Sequence, residues 1–492
     1  MKSIISKTKK FFPAIFLLMI ILFSSVLFFF RLGDAPLWDF DEVTYVQVAR
    51  NTLDSDNRLS LIGPDNKSYW FDKPPLCFWA MMASIKLFGA SEFALRLPYA
   101  LFGLMGIILV WLLAYQLSNN YWIAHLSSII LLLSGDFVFA ARQVRMDAAV
   151  TTAIIFAVYG FVKGWKNPKW YLGFGAGIAI GIMIKSVIGI LAIPIALIFS
   201  LVYSRWDWIK DKFFWLSVLF GVLIAAPWHI YETIKFGADF WNSYFIFHVA
   251  KRVYEPIAGG DGRAIVYYIK NLFIYIEPWF PLLLVLAGYL IYKHKLKFSQ
   301  YPKLQLASLL SALFILFIFS IPVTKLWFYL EPMYPFLAIF VAAFFVEILL
   351  KRGREGRIQT GLIMVIFILV GFINTYSQIM NMRSKYTYEN TLAEEEKKIG
   401  LYLSENVQRE NIYAIDHVYL NTLWYYSNHN IIPINSSINL SGRFYFILSK
   451  EYHEQYSRHK GFREKSELII EGDKIVLVAM DAGEETVKLN VE

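Results

Sequence analysis

Cysteine is almost missing from this chain. Its 492 residues include one, Cys77, so no disulfide can close within the chain and cysteine usage says nothing about redox compartment. Charge is scarce too: Asp, Glu, Lys and Arg make up 17% of the residues, where an ordinary soluble domain has about a quarter. With 57% hydrophobic residues and a mean hydropathy of +0.48, that scarcity excludes a soluble globular protein. There is no internal repeat and no low-complexity tract, which removes solenoids and extended linkers. No nucleic-acid module accompanies the formal net charge of +9, which instead fits cytoplasmic Lys and Arg meeting anionic lipid.

Long apolar runs and aromatic rings take up the rest. Stretches such as Phe11 to Phe30 and Gly361 to Phe372 belong in hydrocarbon. Aromatics reach 18%, with Trp 15, Tyr 30 and Phe 42, as expected where rings anchor at membrane interfaces. Spans are predicted at 12–30, 93–117, 121–140, 148–163, 170–184, 187–203, 213–234, 267–292, 304–321, 328–350 and 358–378. The expected fold is therefore a polytopic α-helical membrane protein of about 11–13 transmembrane helices, the upper figure allowing for a hidden or re-entrant pair.

Lys2, Lys7, Lys9 and Lys10 precede the first run, and no small-residue cleavage site follows it. That reads as a retained helix starting in the cytoplasm, with a cleaved signal peptide as the alternative. Loops assigned inside then carry Lys163, Lys166 and Lys169; Arg205, Lys210 and Lys212; Lys293, Lys295, Lys297 and Lys303; and Lys351, Arg352, Arg354 and Arg357. This asymmetry follows the positive-inside rule and leaves the C-terminus outside. The transmembrane domain is read as 1–379. It has a first outer loop at 31–92, with a membrane-lying helix over Asp41 to Leu53 and a short apolar run, Pro75 to Phe88. A second outer loop, 236–266, holds the turn Gly259-Gly260-Asp261-Gly262. Residues 380–492 read as a small non-cytoplasmic α/β domain: a helix over Leu392 to Val407 and another over Val418 to Tyr426, with strands at Asn411 to Ile415, Asn430 to Ile434, Phe444 to Leu448 and Ile469 to Ala479.

Against this background, charges at the outer rim stand out. Asp41-Glu42, Asp72-Lys73, Arg142, Arg145, Asp147, Lys185 and Lys325 all fall at the ends of apolar segments on the face opposite the cytoplasm, where such charge is costly and points to function. Asp41 and Glu42 can serve as acid/base or orienting carboxylates, or simply favour a helix start. Lys73, held by Pro74-Pro75, can fix an ammonium where a phosphate would sit, or merely snorkel. Arg142 and Arg145 offer planar recognition of phosphate, and Asp147 can pair with either or cap the next helix. Tyr329 and Tyr334 can hold a phosphate or a sugar hydroxyl, or belong to the aromatic belt. Tyr45 lies one helical turn beyond Asp41 as a candidate substrate contact, and His248 is another. A divalent metal is left open, with Asp72 and His248 as its candidate ligands, although no close-spaced ligand pair supports it.

The order Asp41-Glu42-x-x-Tyr45, Lys73-Pro74-Pro75-Leu76 with Trp79, then Arg142-x-x-Arg145-Met146-Asp147 resembles the type C glycosyltransferases. It is similar to their bacterial branch, related to protein O-mannosyltransferases and the lipid A aminoarabinose transferase. Met183-Ile184-Lys185-Ser186, His248 to Arg252, Tyr267-Tyr268, Pro278-Trp279 and Lys325-x-x-x-Tyr329-x-x-Pro332-x-Tyr334-Pro335 agree, so the resemblance covers most of 35–340. It implies a polyprenyl-phosphate-linked sugar as donor, a lipid, glycan or protein as acceptor, and single-displacement transfer with inversion at the non-cytoplasmic face of a bacterial inner membrane. It implies Asp41 as the essential carboxylate, Asp147 as the second-loop acidic position, and Lys73, Arg145, Lys185 and Lys325 as holders of the leaving phosphate. Asp72 where the aminoarabinose branch more often has Glu, Ser186-Val187 in place of Gly-Pro, and Glu331 beside Tyr329 are departures. A transporter or flippase of polyprenyl-linked sugars is the alternative; it would be expected to show related halves and mid-span charges.

Overall fold

The computed structural model describes residues 2–37, 41–255, 265–276, 278–294, 297, 300–351, 353–381, 387–407, 411–415, 420–429, 431–434, 438–458, 460–483 and 487–489. The glycine turn at 259–262 and the strand position Asn430 lie outside these described residues. Two compact units emerge. The first holds Met1–Leu32, Ser55–Leu61 and Tyr69–Ile379; the second holds Gly33–Asp54, Ile62–Ser68 and Met380–Glu492. Residues 31–92, read from the sequence as the first outer loop, are divided between the units.

The first ten α-helices are α1 (Lys2–Phe29), α2 (Asp41–Asp54), α3 (Leu76–Phe88), α4 (Glu92–Ser118), α5 (Tyr121–Leu132), α6 (Gly135–Ala141), α7 (Met146–Gly164), α8 (Tyr171–Lys185), α9 (Ala192–Tyr203) and α10 (Lys212–Phe236). All but α2 belong to the first unit. Among the described residues, seven helical stretches are long and apolar enough to cross a membrane, or up to nine if each of two bent pairs is one crossing. Pro13–Phe29 and Leu76–Phe88 are shorter apolar helices. The protein is a multi-pass membrane protein. α7 is 89% buried and Trp327–Leu350 78%, whereas α10 and Glu355–Ser377 are 17% buried. A helix apolar on every side is either central or lipid-facing; the first pair forms the middle of the bundle and the second its rim.

Local chemistry explains the reversals. Asn119 ends α4 in the left-handed conformation at φ 51°, and the Asn120 side chain then caps α5 by accepting from the Trp122 amide at 2.9 Å. Two adjacent asparagines therefore make a whole turn. The predicted span 121–140 is broken: α5 and α6 meet at 67° across Ser134. The predicted span 267–292 is two short helices at 114°, and Pro278 lies in that break. Pro168–Tyr203 has the length of one long helix but does not run straight. A Cβ on Gly189 would lie 2.3 Å from the Gly181 carbonyl carbon, whereas eight residues of straight helix cover about 12 Å. The chain therefore folds back against α8 after Ser186, at the break between the predicted spans 170–184 and 187–203.

The second unit centres on a five-stranded sheet. Its strands are β1 (Asn411–Ile415), β2 (Ile431–Ile434), β3 (Ile438–Leu440), β4 (Arg443–Ser449), β5 (Ser466–Glu471), β6 (Ile475–Asp481) and β7 (Val487–Leu489). The order is β2-β1-β4-β6-β5, and β3 pairs with β7 separately. β1 runs parallel to β2 and β4, and β6 antiparallel to β4 and β5. Alternation sorts the side chains. Ile412, Ala414, Tyr445, Ile447, Leu477 and Ala479 pack with Ile399, Leu403 and Leu423 of the helices, while Tyr413, Phe444, Phe446, Val476 and Val478 fill the opposite face. Trp424 packs on the first of these cores and Tyr425 and Tyr426 are buried.

Candidate active site

The start of α7, the end of α8 and the 3-10 helix Trp327–Met333 converge on one buried cluster. Arg145 has extended backbone before the first turn of α7, and Asp147 sits in that turn, where the helix dipole favours a carboxylate. Lys185 closes α8. Its Nζ lies 2.5 Å from Asp147 Oδ1, and an Arg145 guanidinium nitrogen lies 3.4 Å from Asp147 Oδ2. Asp147 is thus held between two cations. Aromatic rings roof the pair: the Arg145 guanidinium is 4.1 Å from the Phe328 ring centre and 5.1 Å from that of Trp327, and Lys185 Nζ is 5.2 Å from that of Tyr329. Faces of that kind favour cations withdrawn from water.

The same layer holds further polar groups. Arg252 donates to the Tyr329 hydroxyl at 2.6 Å. Lys325 is buried and donates to the Pro322 carbonyl at 2.5 Å. Glu331 is fully buried, faces Asp147, Asp136, Arg145 and Lys185, and has no hydrogen-bond partner among the described residues.

Lys73 belongs to a neighbouring corner. Phe71, Leu76 and Trp79 pack on Ala179, Met183, Trp228, Phe240 and Tyr244, so the Asp72–Pro75 turn and the end of α8 share one apolar cluster. Lys73 Nζ donates to the Asp72 carbonyl at 3.3 Å, and the Asp72 carboxylate pairs with His248. His248 lies in the π-helix Asn242–Lys251. Among the described residues no three His, Cys, Asp or Glu side chains gather as a metal would need, and Asp72 and His248 are used on each other.

Two candidates go elsewhere. Arg142 donates to the carbonyls of Leu27, Phe28 and Phe30, at 2.6, 3.1 and 3.0 Å. Its charge closes the C-terminus of α1, whose last carbonyls have no partner within the helix. Tyr334 is buried and donates to Asp136 at 2.7 Å, so its hydroxyl is spent inside the protein and not offered at a surface.

Asp41, Glu42 and Tyr45 lie in the second unit, on α2. Asp41 is the exposed first residue of the helix; Glu42 and Tyr45 are buried. The mounting of α2 is explicit. Arg50 donates to the Tyr425 carbonyl at 3.0 Å and to Asn428 at 2.8 Å, and Asn51 donates to the Gly63 carbonyl at 2.7 Å. Asn421 reaches Thr44.

Arg252, Asp136, Trp327 and Phe328 were not singled out in the sequence as site residues. Arg252 carries the same signal as Lys185, a cation in a segment read from the sequence as facing outward, and Asp136 that of an acid inside a predicted span. The rings carry none, because aromatic residues are common throughout the chain.

Residues 72–231 match the family described as dolichyl-phosphate-mannose-protein mannosyltransferase. The undecaprenyl phosphate-alpha-4-amino-4-deoxy-L-arabinose arabinosyl transferase 1 of Proteus mirabilis is 27% identical, over 67% of this chain and 59% of its own length. The chain therefore spans less than two thirds of that relative. ArnT from Cupriavidus metallidurans, solved with undecaprenyl phosphate bound, superposes with a TM-score of 0.71 at 16% identity, over 95% of this chain and 98% of that one. The fold is that of the type C glycosyltransferases. An Archaeoglobus fulgidus oligosaccharyltransferase shares this fold at a TM-score of 0.57 and 12% identity, over 87% of this chain and 64% of that one. Within the type C fold, the matched stretch 72–231 runs from Asp72 to Tyr231 and so contains Lys73, Arg145, Asp147 and Lys185.

Proposed function

We propose that this protein moves a sugar from a polyprenyl-phosphate carrier to an acceptor at the non-cytoplasmic face of a bacterial inner membrane, with inversion at the anomeric carbon. The observation that carries the reading is the Arg145–Asp147–Lys185 cluster under the Trp327–Tyr329 rings. Two cations held in place by their pairing with Asp147 suit an incoming phosphate, which takes over as partner to their charge. Fixed positive charge stabilises a leaving phosphate as its own charge grows, without reorganisation at the moment of reaction.

The acceptor oxygen attacks the anomeric carbon as the bond from that carbon to the carrier phosphate breaks, and polyprenyl phosphate leaves with the electron pair. Lys73, Arg145 and Lys185 hold that phosphate, with Tyr329 presented by Arg252 and Lys325 set nearby in sequence. Asp41, exposed at the start of α2, takes the proton of a hydroxyl acceptor. For an acceptor that is already an ionised phosphate it serves to orient instead. Asp147 acts as the resident counter-anion. In this reading the N-terminus is cytoplasmic, and residues 380–492 form an outer domain that recognises or covers the acceptor. The acceptor itself is a lipid, a glycan or a protein.

The test is mass spectrometry of lipids and envelope glycans from cells with the gene, without it, and carrying Asp41→Asn. Loss of one sugar in both altered strains, with its polyprenyl-phosphate carrier accumulating, is the expected result and names donor and acceptor together. A normal glycan profile in the Asp41→Asn strain would overturn the role given to Asp41, and no change in either strain would overturn the transferase reading.

A further inference from the structure

We propose that the end of the bundle opposite the Arg145–Asp147–Lys185 cluster holds one phospholipid whose headgroup carries a primary ammonium. Asp147 lies in the first turn of α7 and Lys185 closes α8, whereas Gly164 and Tyr171 lie at the other ends of these helices, about 26 Å away along α7. There a hollow of about 160 Å³ is walled by Trp165, Tyr171, Arg205, Asp207, Trp208 and Asp211. An apolar groove of about 380 Å³ runs between α8 and α10, from Phe174 and Phe214 to Ile182 and His229. Phe214 joins the two: its ring centre is 4.4 Å from that of Trp208 and 5.9 Å from that of Tyr171. One ligand with a polar head and an apolar chain fits both.

The groove stays open through glycine. A Cβ on Gly175 would lie 1.8 Å from the Ser217 carbonyl oxygen, so α8 and α10 meet backbone to backbone there. Gly175 and Gly221 then line the groove with no side chain to fill it. From Ser217 to His229, α10 covers about 18 Å, close to one leaflet of a hydrocarbon core about 30 Å thick. The groove therefore has the depth of an acyl chain from a single leaflet and is too short for an undecaprenyl tail.

The class of headgroup follows from charge. Ser204 ends α9 in the left-handed conformation at φ 55° and turns the chain into Arg205. The guanidinium is held there: Nη2 donates to the Trp165 carbonyl at 3.0 Å, and Nε lies 3.9 Å from Asp207 Oδ2. The rest of its planar fork suits a phosphate. Asp211 Oδ1 accepts from the Phe213 amide at 2.8 Å and so caps α10, which leaves Oδ2. Two carboxylates against one guanidinium repel an anionic headgroup but complement a zwitterion, with its phosphate on Arg205 and its ammonium on Asp207 and Asp211. A primary ammonium brings N–H donors to carboxylate oxygens, and a quaternary one brings none.

The experiment is native mass spectrometry of the purified full-length protein titrated with phosphatidylethanolamine, phosphatidylglycerol or phosphatidylcholine of matched chains. One phosphatidylethanolamine is expected to bind about tenfold more tightly than either of the others, as a hydrogen bond between charged groups supplies. Asp207→Asn combined with Asp211→Asn, which keeps the α10 cap, should abolish that preference. Arg205→Gln should weaken all three lipids. Val222→Trp, at an exposed position lining the groove, should weaken all three while keeping the preference. Equal binding of the three lipids by the wild type overturns the inference, as does a preference that survives the paired Asp substitution, or a Val222→Trp form that binds as the wild type does. Undecaprenyl phosphate displacing the bound phosphatidylethanolamine one for one also overturns it, by giving the groove to the carrier's tail. None of the substituted residues belongs to the Arg145–Asp147–Lys185 cluster, so these outcomes are separate from the transfer reading.

Discussion

In the first unit Asp147 is buried and shared by Arg145 and Lys185, whereas in the second unit the half-buried Glu395 accepts from the amides of Asp473, Lys474 and Ile475 at 2.8, 3.1 and 3.0 Å. Both carboxylates are satisfied, but by different kinds of partner. Backbone amides cannot leave, so Glu395 is committed to closing the β5–β6 turn. Side-chain cations can exchange one anion for another, so the Asp147 cluster is fit for a ligand that comes and goes. On the proposed reading, pairing with side-chain charge goes with a working site and pairing with backbone with a structural one.

The largest test of that contrast is Asp147→Ala. Removing the shared anion takes a close counter-charge from buried Arg145 and half-buried Lys185, and a loss of up to about 3–5 kcal/mol is expected, read as a lower unfolding midpoint in detergent. Undecaprenyl phosphate should restore much of it, since a ligand that binds only the folded state stabilises by mass action. An unfolding midpoint that the lipid does not move would break the comparison. Glu395→Ala should cost about 1.5–3 kcal/mol from the charged acceptor it removes, with no ligand able to recover it and transfer activity retained per folded molecule.

Arg142→Ala comes next, at about 1–2 kcal/mol for three carbonyls left to water. Undecaprenyl phosphate affinity should stay unchanged; a weakened affinity would return Arg142 to the phosphate site. The smallest effect is at Asp65, which accepts from the amides of Lys67 and Ser68 and the Ser68 hydroxyl. Burial pushes this carboxyl up, but the Ser68 and Lys67 amides, the Ser68 hydroxyl and the Lys67 charge outweigh it and hold its pKa below the usual value. Its stabilisation is present above the ordinary carboxylate range and lost as pH falls through the lowered pKa. Asp65→Asn should remove that part of the acid sensitivity in an unfolding series by lowering the neutral-pH midpoint slightly while leaving the acid midpoint unchanged.

Much of this was legible in the residues. Arg145, Asp147 and Lys185 declare themselves because outer loops avoid such charge, and the structure brings them within contact of one another. The strands of the second unit were legible as short apolar runs, and the structure buries both of their faces, with Ile412 and Ala414 on one and Tyr413 and Ile415 on the other. What stayed hidden depended on partners remote in sequence. Nothing around Arg142 names the end of α1 as its destination, since any helix C-terminus offers the same bare carbonyls. Tyr334 and Asp136 are 198 residues apart, and periodicity says nothing of such pairings. The bend across Ser134 coincides with Ser134-Gly135-Asp136, a polar break between two apolar runs; it was missed because the two runs together have the length of one span, and length reports a crossing without reporting direction.

The mounting of α2 has a consequence for biosynthesis. Arg50 leaves the ribosome 375 residues before Tyr425, the carbonyl it will hold. At about 5–20 residues per second, the helix bearing Asp41 waits roughly 20–75 seconds for its seat to be made. Through that interval the segment exists without its partner. A premature stop in the last quarter of the gene would therefore strand a loop encoded near its beginning.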